Sequence, residues 1–262
     1  MIRVAILGCG WLGLPLAKKI LQDGYHVNGS TTSLEKVNLL NNLGVNAFHI
    51  DLEHPSDNLS SFFDADELII TIPPKAKNYA QLIEHLIPEI EKSTIKRVTY
   101  TSSISVYGNA IGVITENTKT QPIRTSVEQI VEVEQLLLNN NTFNTNIIRL
   151  GGLIGTDRHP AYHVSGKQLK APYDLINLIH LDDCIAVIHL LLKTNITNNI
   201  FNLVNPYHPT KKNYYTECCK HLNLALPVIK DNSKITPKEI SSEKISNVLN
   251  YEFKNRRNSA KL

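Results

Sequence analysis

The sequence predicts an α/β protein: a Rossmann-type, doubly wound parallel sheet with a small C-terminal substrate lobe. Three observations carry that expectation. An apolar, β-branched run (Ile2, Val4, Ile6, Leu7) meets a glycine turn at residue 8. An amphipathic segment and a second apolar run follow, which is the βαβ pattern. Strand-like and helix-like segments then alternate to about residue 150, as a parallel sheet with helical crossovers requires.

Taken in order, residues 2–7 read as a buried strand. Leu12, Leu16, Ala17, Ile20 and Leu21 then share one helical face until Gly24 ends the helix. Residues 25–29 return as the second strand, and Ser33 is placed to cap a helix over 34–43. The third strand is read at 47–51 and the fourth at 67–72, where Pro73-Pro74 halts it. A helix bent at Pro88 is expected over 78–91, a fifth strand over 97–101, a long helix over 127–138 and a sixth strand over 146–150. Beyond residue 151 the alternation loosens and Pro and Tyr become more frequent, with one clear helix over 182–192 and a strand over 200–204. This divides the chain into a dinucleotide-binding domain, 1–155, and a mainly substrate-side lobe, 156–262, with segments returning to the sheet.

The turn is Gly8-Cys9-Gly10-Trp11-Leu12-Gly13, a GxGxxG. Its spacing has a mechanical reason at each glycine. Gly8 permits the tight turn, Gly10 lets the backbone approach a pyrophosphate, and Gly13 lets helix pack on strand. The phosphates would sit on the free N–H groups and positive end of the helix. A glycine-bearing strand–helix turn without a ligand has the same residues; the strand before it and helix after it favour nucleotide binding. Thr71, Ile72, Pro73 and Thr101, at neighbouring strand ends, are expected along the same cofactor.

The end of the second strand bears on which cofactor fits. NAD binders usually place an acid there to hold the ribose 2′-OH. Here no acid precedes Glu35, and Ser30, Thr31, Thr32 and Ser33 lie beside Lys36. That set suits a 2′-phosphate, which a carboxylate would repel, so NADP is favoured over NAD. Asp51-Leu52 is placed to meet the adenine, with a plain turn aspartate as the alternative.

Composition excludes several classes. The chain has 262 residues, 42% of them hydrophobic, enough for a large core. No apolar run approaches the roughly 20 residues of a membrane span. The net charge of +3 is mild, and basic residues are dispersed apart from Lys254-Asn255-Arg256-Arg257, which argues against nucleic acid. The four cysteines, Cys9, Cys184, Cys218 and Cys219, have no metal-ligand spacing and read as free thiols. With the first strand starting at residue 2, no signal peptide is expected, and the expected location is the cytoplasm.

Several segments carry a family resemblance. Thr101-Ser102-Ser103-Ile104-Ser105-Val106-Tyr107-Gly108 resembles the active-site strand of extended short-chain dehydrogenases/reductases. Arg149 to Gly155 resembles that family's R-x-x-x-x-y-G, Asn177 to Asp183 its n-x-i-H-v-d-D segment, and Phe201-Asn202-Leu203 its y-N-l strand. With the opening GCGWLGLPLA and the segment Gly155 to Pro160, the chain is most similar to the atypical, bacterial YeeZ-like group of the NAD-dependent epimerase/dehydratase superfamily. The resemblance implies a nicotinamide cofactor, hydride transfer as an oxidoreductase or, through transient oxidation, as an epimerase or dehydratase, and a small or nucleotide-linked substrate. A homodimer is compatible with it.

Two departures qualify the resemblance. The family's usual GxxGxxG would require glycine at Leu7. Its YxxxK pair should fall where Ser126 and Ile130 stand, and neither residue can relay a proton as tyrosine and lysine do. Thr125 to Glu128 reads there as a capping box. By resemblance Ser103 matches the catalytic hydroxyl. Tyr107 and His180 are the remaining acid–base candidates, and Arg149, Lys167 and Asp183 are candidates for holding substrate. His159-Pro160 and His208-Pro209 read as loop features. The missing pair leaves open a non-catalytic dinucleotide sensor. A nucleotide-sugar dehydrogenase, which the opening also resembles, would need a longer chain and a cysteine in a later glycine-rich segment.

Overall fold

The computed structural model describes residues 2–54, 59–155, 157–230 and 237–254, so the basic stretch beyond Lys254 lies outside the described residues. Strand β1 (Arg3–Leu7), buried from Val4 onward, runs straight into the glycine turn. Helix α1 (Gly13–Gln22) buries Gly13, Leu16, Ala17 and Ile20, the face its periodicity marks out. Strand β2 (His26–Thr31), helix α2 (Leu34–Asn42) and strand β3 (Asn46–His49) follow. Ser33 caps α2 by accepting the Lys36 N–H.

Next come helix α3 (Leu59–Phe62), strand β4 (Glu67–Ile70), helices α4 (Tyr79–Glu84) and α5 (Ile87–Lys92), and strand β5 (Arg97–Ser103). The single bent helix expected over 78–91 is thus two helices. Pro88 lies in the first turn of α5, where its missing N–H has no intrahelical acceptor to lose. Strand β6 (Gly112–Ile114) precedes helix α6 (Thr125–Leu138) and strand β7 (Asn144–Leu150). The capping box expected at Thr125–Glu128 does not form. Arg124 occupies the cap position, and Thr125 is already inside the helix, so its hydroxyl does not cap the first turn.

The rest of the chain gives strand β8 (Gly152–Ile154), helix α7 (Ala161–Val164), strand β9 (Leu178–His180), helix α8 (Leu181–Leu192) and strand β10 (Asn199–Leu203). Helix α9 (Lys211–His221), strand β11 (Lys238–Ile240) and helix α10 (Glu243–Leu249) complete it.

The central sheet has seven strands in the order β10-β7-β5-β4-β1-β2-β3. Strand β1 pairs in parallel with both β2 and β4, so strand order reverses around it. That is the switch point at which doubly wound sheets bind ligands, over the carboxyl ends of the strands. Two small parallel pairs, β6 with β11 and β8 with β9, stand apart from it.

The chain forms two compact units. The first comprises residues 1–106, 122–149 and 185–200 and contains the glycine turn and strands β1 to β5. The second comprises 107–121, 150–184 and 201–262. In this division 107–121 and 150–155 fall in the second unit and most of α8 in the first, beside the expected division at 155.

Candidate functional site

The glycine turn has the geometry its spacing predicts. Gly8 adopts φ +105°, a left-handed conformation that a side chain would strain, and a Cβ there would lie 2.6 Å from Ile72 Cγ2. A Cβ on Gly13 would lie 2.2 Å from the Gly8 carbonyl oxygen and 2.9 Å from Thr71 Oγ1, so α1 approaches β1 as closely as glycine permits. Gly10 is the opposite case. A Cβ there meets nothing within 4 Å, so the packing of this protein does not call for glycine at that position. Open space over a glycine beside a helix N-terminus is the cradle that a pyrophosphate fills. Cys9 and Leu12 turn their side chains into the core, and Trp11 is half-buried. The Cys9 thiol is pushed up to about 12 by burial, which keeps it unreactive.

Neighbouring strand ends brace the turn. Thr71 donates to the Gly8 carbonyl at 2.7 Å, and Thr101 donates to the Ile70 carbonyl at 3.0 Å. Ile72 is half-buried with its carbonyl 3.2 Å from the buried Tyr79 hydroxyl, and Pro73 is exposed. Gln129 of α6 holds the entry to α4 at two points, donating to the Lys77 carbonyl and accepting the Ala80 N–H. The sequence reading missed Gln129; a polar residue beside the buried Ile130 was its only signal.

The residues expected around a 2′-phosphate divide into two sets. Ser30 is 2% exposed and its hydroxyl accepts the Gly8 N–H at 2.9 Å, so its work is to shape the glycine turn. Thr31 is also buried, and its hydroxyl accepts the Ser33 N–H. Both hydroxyls accept a backbone N–H and so help to shape the turn, and each keeps its own proton to donate. Thr32 and Lys36 are exposed and Ser33 is half-buried. The Asp51 carboxylate accepts the Glu53 N–H at 3.0 Å and meets the His54 ring at 3.2 Å. These contacts hold it below the usual carboxylate range in a local turn, with Leu52 half-exposed beside it.

At the end of β5 the serines point to different partners. Ser103 is half-buried; its oxygen accepts the Ser105 N–H at 3.1 Å and lies 2.9 Å from the Ser105 hydroxyl oxygen. Ser102 faces the core and donates to Glu134 of α6. Arg149, expected to hold substrate, joins that core group instead. Its guanidinium makes a two-point pair with Glu134, at 3.0 Å through Nε and 2.6 Å through a terminal nitrogen. Arg149 is 4% and Glu134 2% exposed, so the charge offered to substrate is already neutralised inside the protein. Glu134 was missed by the sequence reading. Its signal was a charged residue on the apolar stripe formed by Val127, Ile130, Val133 and Leu137.

Ser126, at the position where the family resemblance expects tyrosine, is exposed on the first turn of α6, and Ile130, where it expects lysine, is buried.

The second unit holds four candidates, and most serve packing. Tyr107, expected as a candidate surrogate acid, is fully buried and donates to Asn202 Oδ1 at 2.7 Å. Tyr107→Phe should cost about 1–3 kcal/mol through the Asn202 oxygen left without this donor. Denaturant midpoints check this; unchanged stability together with lost turnover would restore Tyr107 as an acid. His180 caps α8, its Nδ1 accepting the Asp182 N–H at 3.2 Å. Asp183 is buried, accepting the Tyr251 hydroxyl at 2.5 Å and the Lys254 N–H at 3.1 Å, so it pins the chain after α10. The structure thus gives His180 and Asp183 structural partners where chemical ones were expected. Lys167 is exposed on the loop after α7. His159 accepts the Ala161 N–H at the start of α7, and burial holds it below its ordinary pKa.

Among the described residues no group of His, Cys, Asp and Glu could hold a metal ion, and no helix is long and apolar enough to cross a membrane.

Three comparisons with known proteins agree with this geometry. Residues 8–179 match a family model described as NAD(P)H-binding. Protein YeeZ of Escherichia coli (strain K12) is 34% identical over 265 residues, covering 97% of this chain and 96% of YeeZ. A putative NAD-dependent epimerase/dehydratase from Methylobacillus flagellatus superimposes with a TM-score of 0.81 at 20% identity, over 97% of this chain and 94% of that one. A UDP-glucuronic acid 4-epimerase from Bacillus cereus, solved in complex with NAD, gives a TM-score of 0.81 at 16% identity, over 96% and 91%. The two structural matches speak to the fold.

Proposed function

Because this chain belongs to the NAD(P)H-binding family, we infer that it is an enzyme of carbonyl–alcohol chemistry acting on a small or nucleotide-linked substrate. The observation that carries the reading is the turn at Gly8–Gly13, where Gly10 alone is glycine without a packing reason. Residues 8–13 would hold the pyrophosphate, and Thr71, Ile72, Pro73 and Thr101 would line the way toward the nicotinamide. The bound dinucleotide supplies or accepts a hydride. Ser103, at the end of β5, then offers its hydroxyl to the substrate oxygen. That role fits an oxidoreductase, and equally an epimerase or dehydratase working through transient oxidation. The B. cereus neighbour's UDP-sugar substrate supports the nucleotide-linked class. Four free, buried cysteines support a reducing compartment such as the cytoplasm.

The preferred cofactor in this reading is NADP. No carboxylate ends β2, and Thr32, Ser33 and Lys36 are the reachable members of the expected set, beside the buried Ser30 and Thr31. Titrating the purified protein with each reduced cofactor, followed by nicotinamide fluorescence, should show tighter binding of NADPH than of NADH. Equal or tighter NADH binding removes the 2′-phosphate pocket from the reading.

One observation favours a second reading, a non-catalytic dinucleotide sensor. Ile130 is buried and Ser126 exposed where the resemblance expects the acid–base pair, and Tyr107 donates to Asn202. Turnover of bound NADPH against a panel of carbonyl compounds separates the two. Consumption supports the enzyme; binding without consumption across the panel supports the sensor.

A further inference from the structure

Ser103 ends β5, and Ser105 lies in the short 3₁₀ turn Ile104–Tyr107 that follows. The turn brings two groups of Ser105 to one oxygen: its N–H at 3.1 Å and its hydroxyl at 2.9 Å from Ser103 Oγ. A hydroxyl oxygen has two lone pairs and carries one proton. The backbone N–H can only donate, so one lone pair of Ser103 is filled whatever the hydroxyls do. The direction of the hydroxyl–hydroxyl bond then decides what Ser103 has left.

We propose that Ser105 is a positioning residue whose hydroxyl donates to Ser103, filling its second lone pair and leaving the Ser103 proton as a dedicated donor to a substrate carbonyl or alkoxide-like oxygen. The inference rests on the functional reading above and adds a residue to it. Donation in this direction makes a chain, Ser105 O–H to Ser103 O–H to substrate oxygen, in which each bond polarises the next. Two donors on the Ser103 oxygen also stabilise negative charge on it, so its proton can lean toward the substrate at less cost. Both serines are half-buried, where such bonds are stronger than in open water. The opposite direction would spend the only Ser103 proton on Ser105 and leave only a lone pair to face an electron-rich oxygen. The device matters here because the helix that should carry a tyrosine and a lysine carries Ser126 and Ile130.

Two measurements test it. Neutron diffraction from deuterated protein locates the hydroxyl deuterons directly. The Ser105 deuteron on the line between the two oxygens, with the Ser103 deuteron turned away, supports the proposal; the Ser103 deuteron on that line overturns it. The second uses reduction of 9,10-phenanthrenequinone by the NADPH-loaded protein. Ser105→Ala should lower kcat about five- to tenfold, the worth of one neutral hydrogen bond. KM for NADPH and the melting temperature should stay put, and Ser105→Thr, which keeps the hydroxyl, should restore the rate. Wild-type kcat in Ser105→Ala overturns the proposal. If wild-type protein binds NADPH but leaves the quinone unreduced, the enzyme reading has failed for this probe, and the deuteron positions alone decide whether Ser105 orients Ser103.

Discussion

Gly10→Val is expected to abolish dinucleotide binding while leaving the stability of the protein unchanged. The two halves of that result have separate causes. No atom lies within 4 Å of where a Cβ would sit on Gly10, and its φ is not left-handed, so the apo fold has room for a side chain. The same space is where a pyrophosphate would approach the backbone, and the valine methyl groups would fill it. Loss of that anchor should weaken NADPH binding about a hundredfold or more, equivalent to about 2.8 kcal/mol. Gly13→Ala supplies the contrast within one motif. Its Cβ would stand 2.2 Å from a backbone oxygen that cannot swing aside, so α1 must shift on β1. Overpacking of that kind costs about 1–3 kcal/mol or more, and this variant should melt early. Fluorescence titration and thermal melts on both variants make the check. Normal NADPH affinity in Gly10→Val would mean the dinucleotide does not lie over this turn.

Those glycines were legible because their reason is local. A tight turn and a close approach of α1 to β1 each demand glycine whatever the distant fold does, and the flanking periodicities fix strand and helix. Long elements were legible for the same reason: α1 and α6 span three to four turns of a repeating apolar face. Strands β6, β8, β9 and β11 have three residues each, too few for alternation to register, and they went unread.

Polar residues at strand ends were harder, because a strand covered on both faces gives no alternation to show which way a side chain points. Ser30 illustrates this. It reads as ligand-facing, yet its partner is Gly8, twenty-two residues earlier in the turn that follows the neighbouring strand. Arg149 illustrates it again, since a basic residue ending a buried strand suits either a substrate or an internal acid. The deciding residue was Glu134, and its signal was available: a carboxylate at a core position needs a buried partner. Ser103 was placed by family resemblance, whereas the contacts Ser105 makes with it come from a turn whose geometry no periodicity reports.

That buried group carries the other large effect. Glu134→Ala should destabilise the protein by about 3–5 kcal/mol, because it strands the Arg149 guanidinium in the interior without its counter-charge. The same change deprives the Ser102 hydroxyl of its acceptor. Against a typical total stability of about 5–15 kcal/mol, such a loss is severe. The size of the effect does not mean that the ion pair is worth that much to folding. Burying two charges carries a desolvation cost comparable to their attraction, so replacing both partners by apolar residues of similar volume is often neutral or stabilising. The double variant Glu134→Leu with Arg149→Met should therefore recover most of what either single change loses. Urea denaturation of the wild type, Glu134→Leu, Arg149→Met and the double variant, with m held constant, gives the coupling directly. A loss below about 1 kcal/mol in Glu134→Ala, or a double variant as unstable as the sum of its parts, would show that Arg149 does not depend on Glu134. Arg149 would then again be a candidate for a charge held in reserve for a substrate.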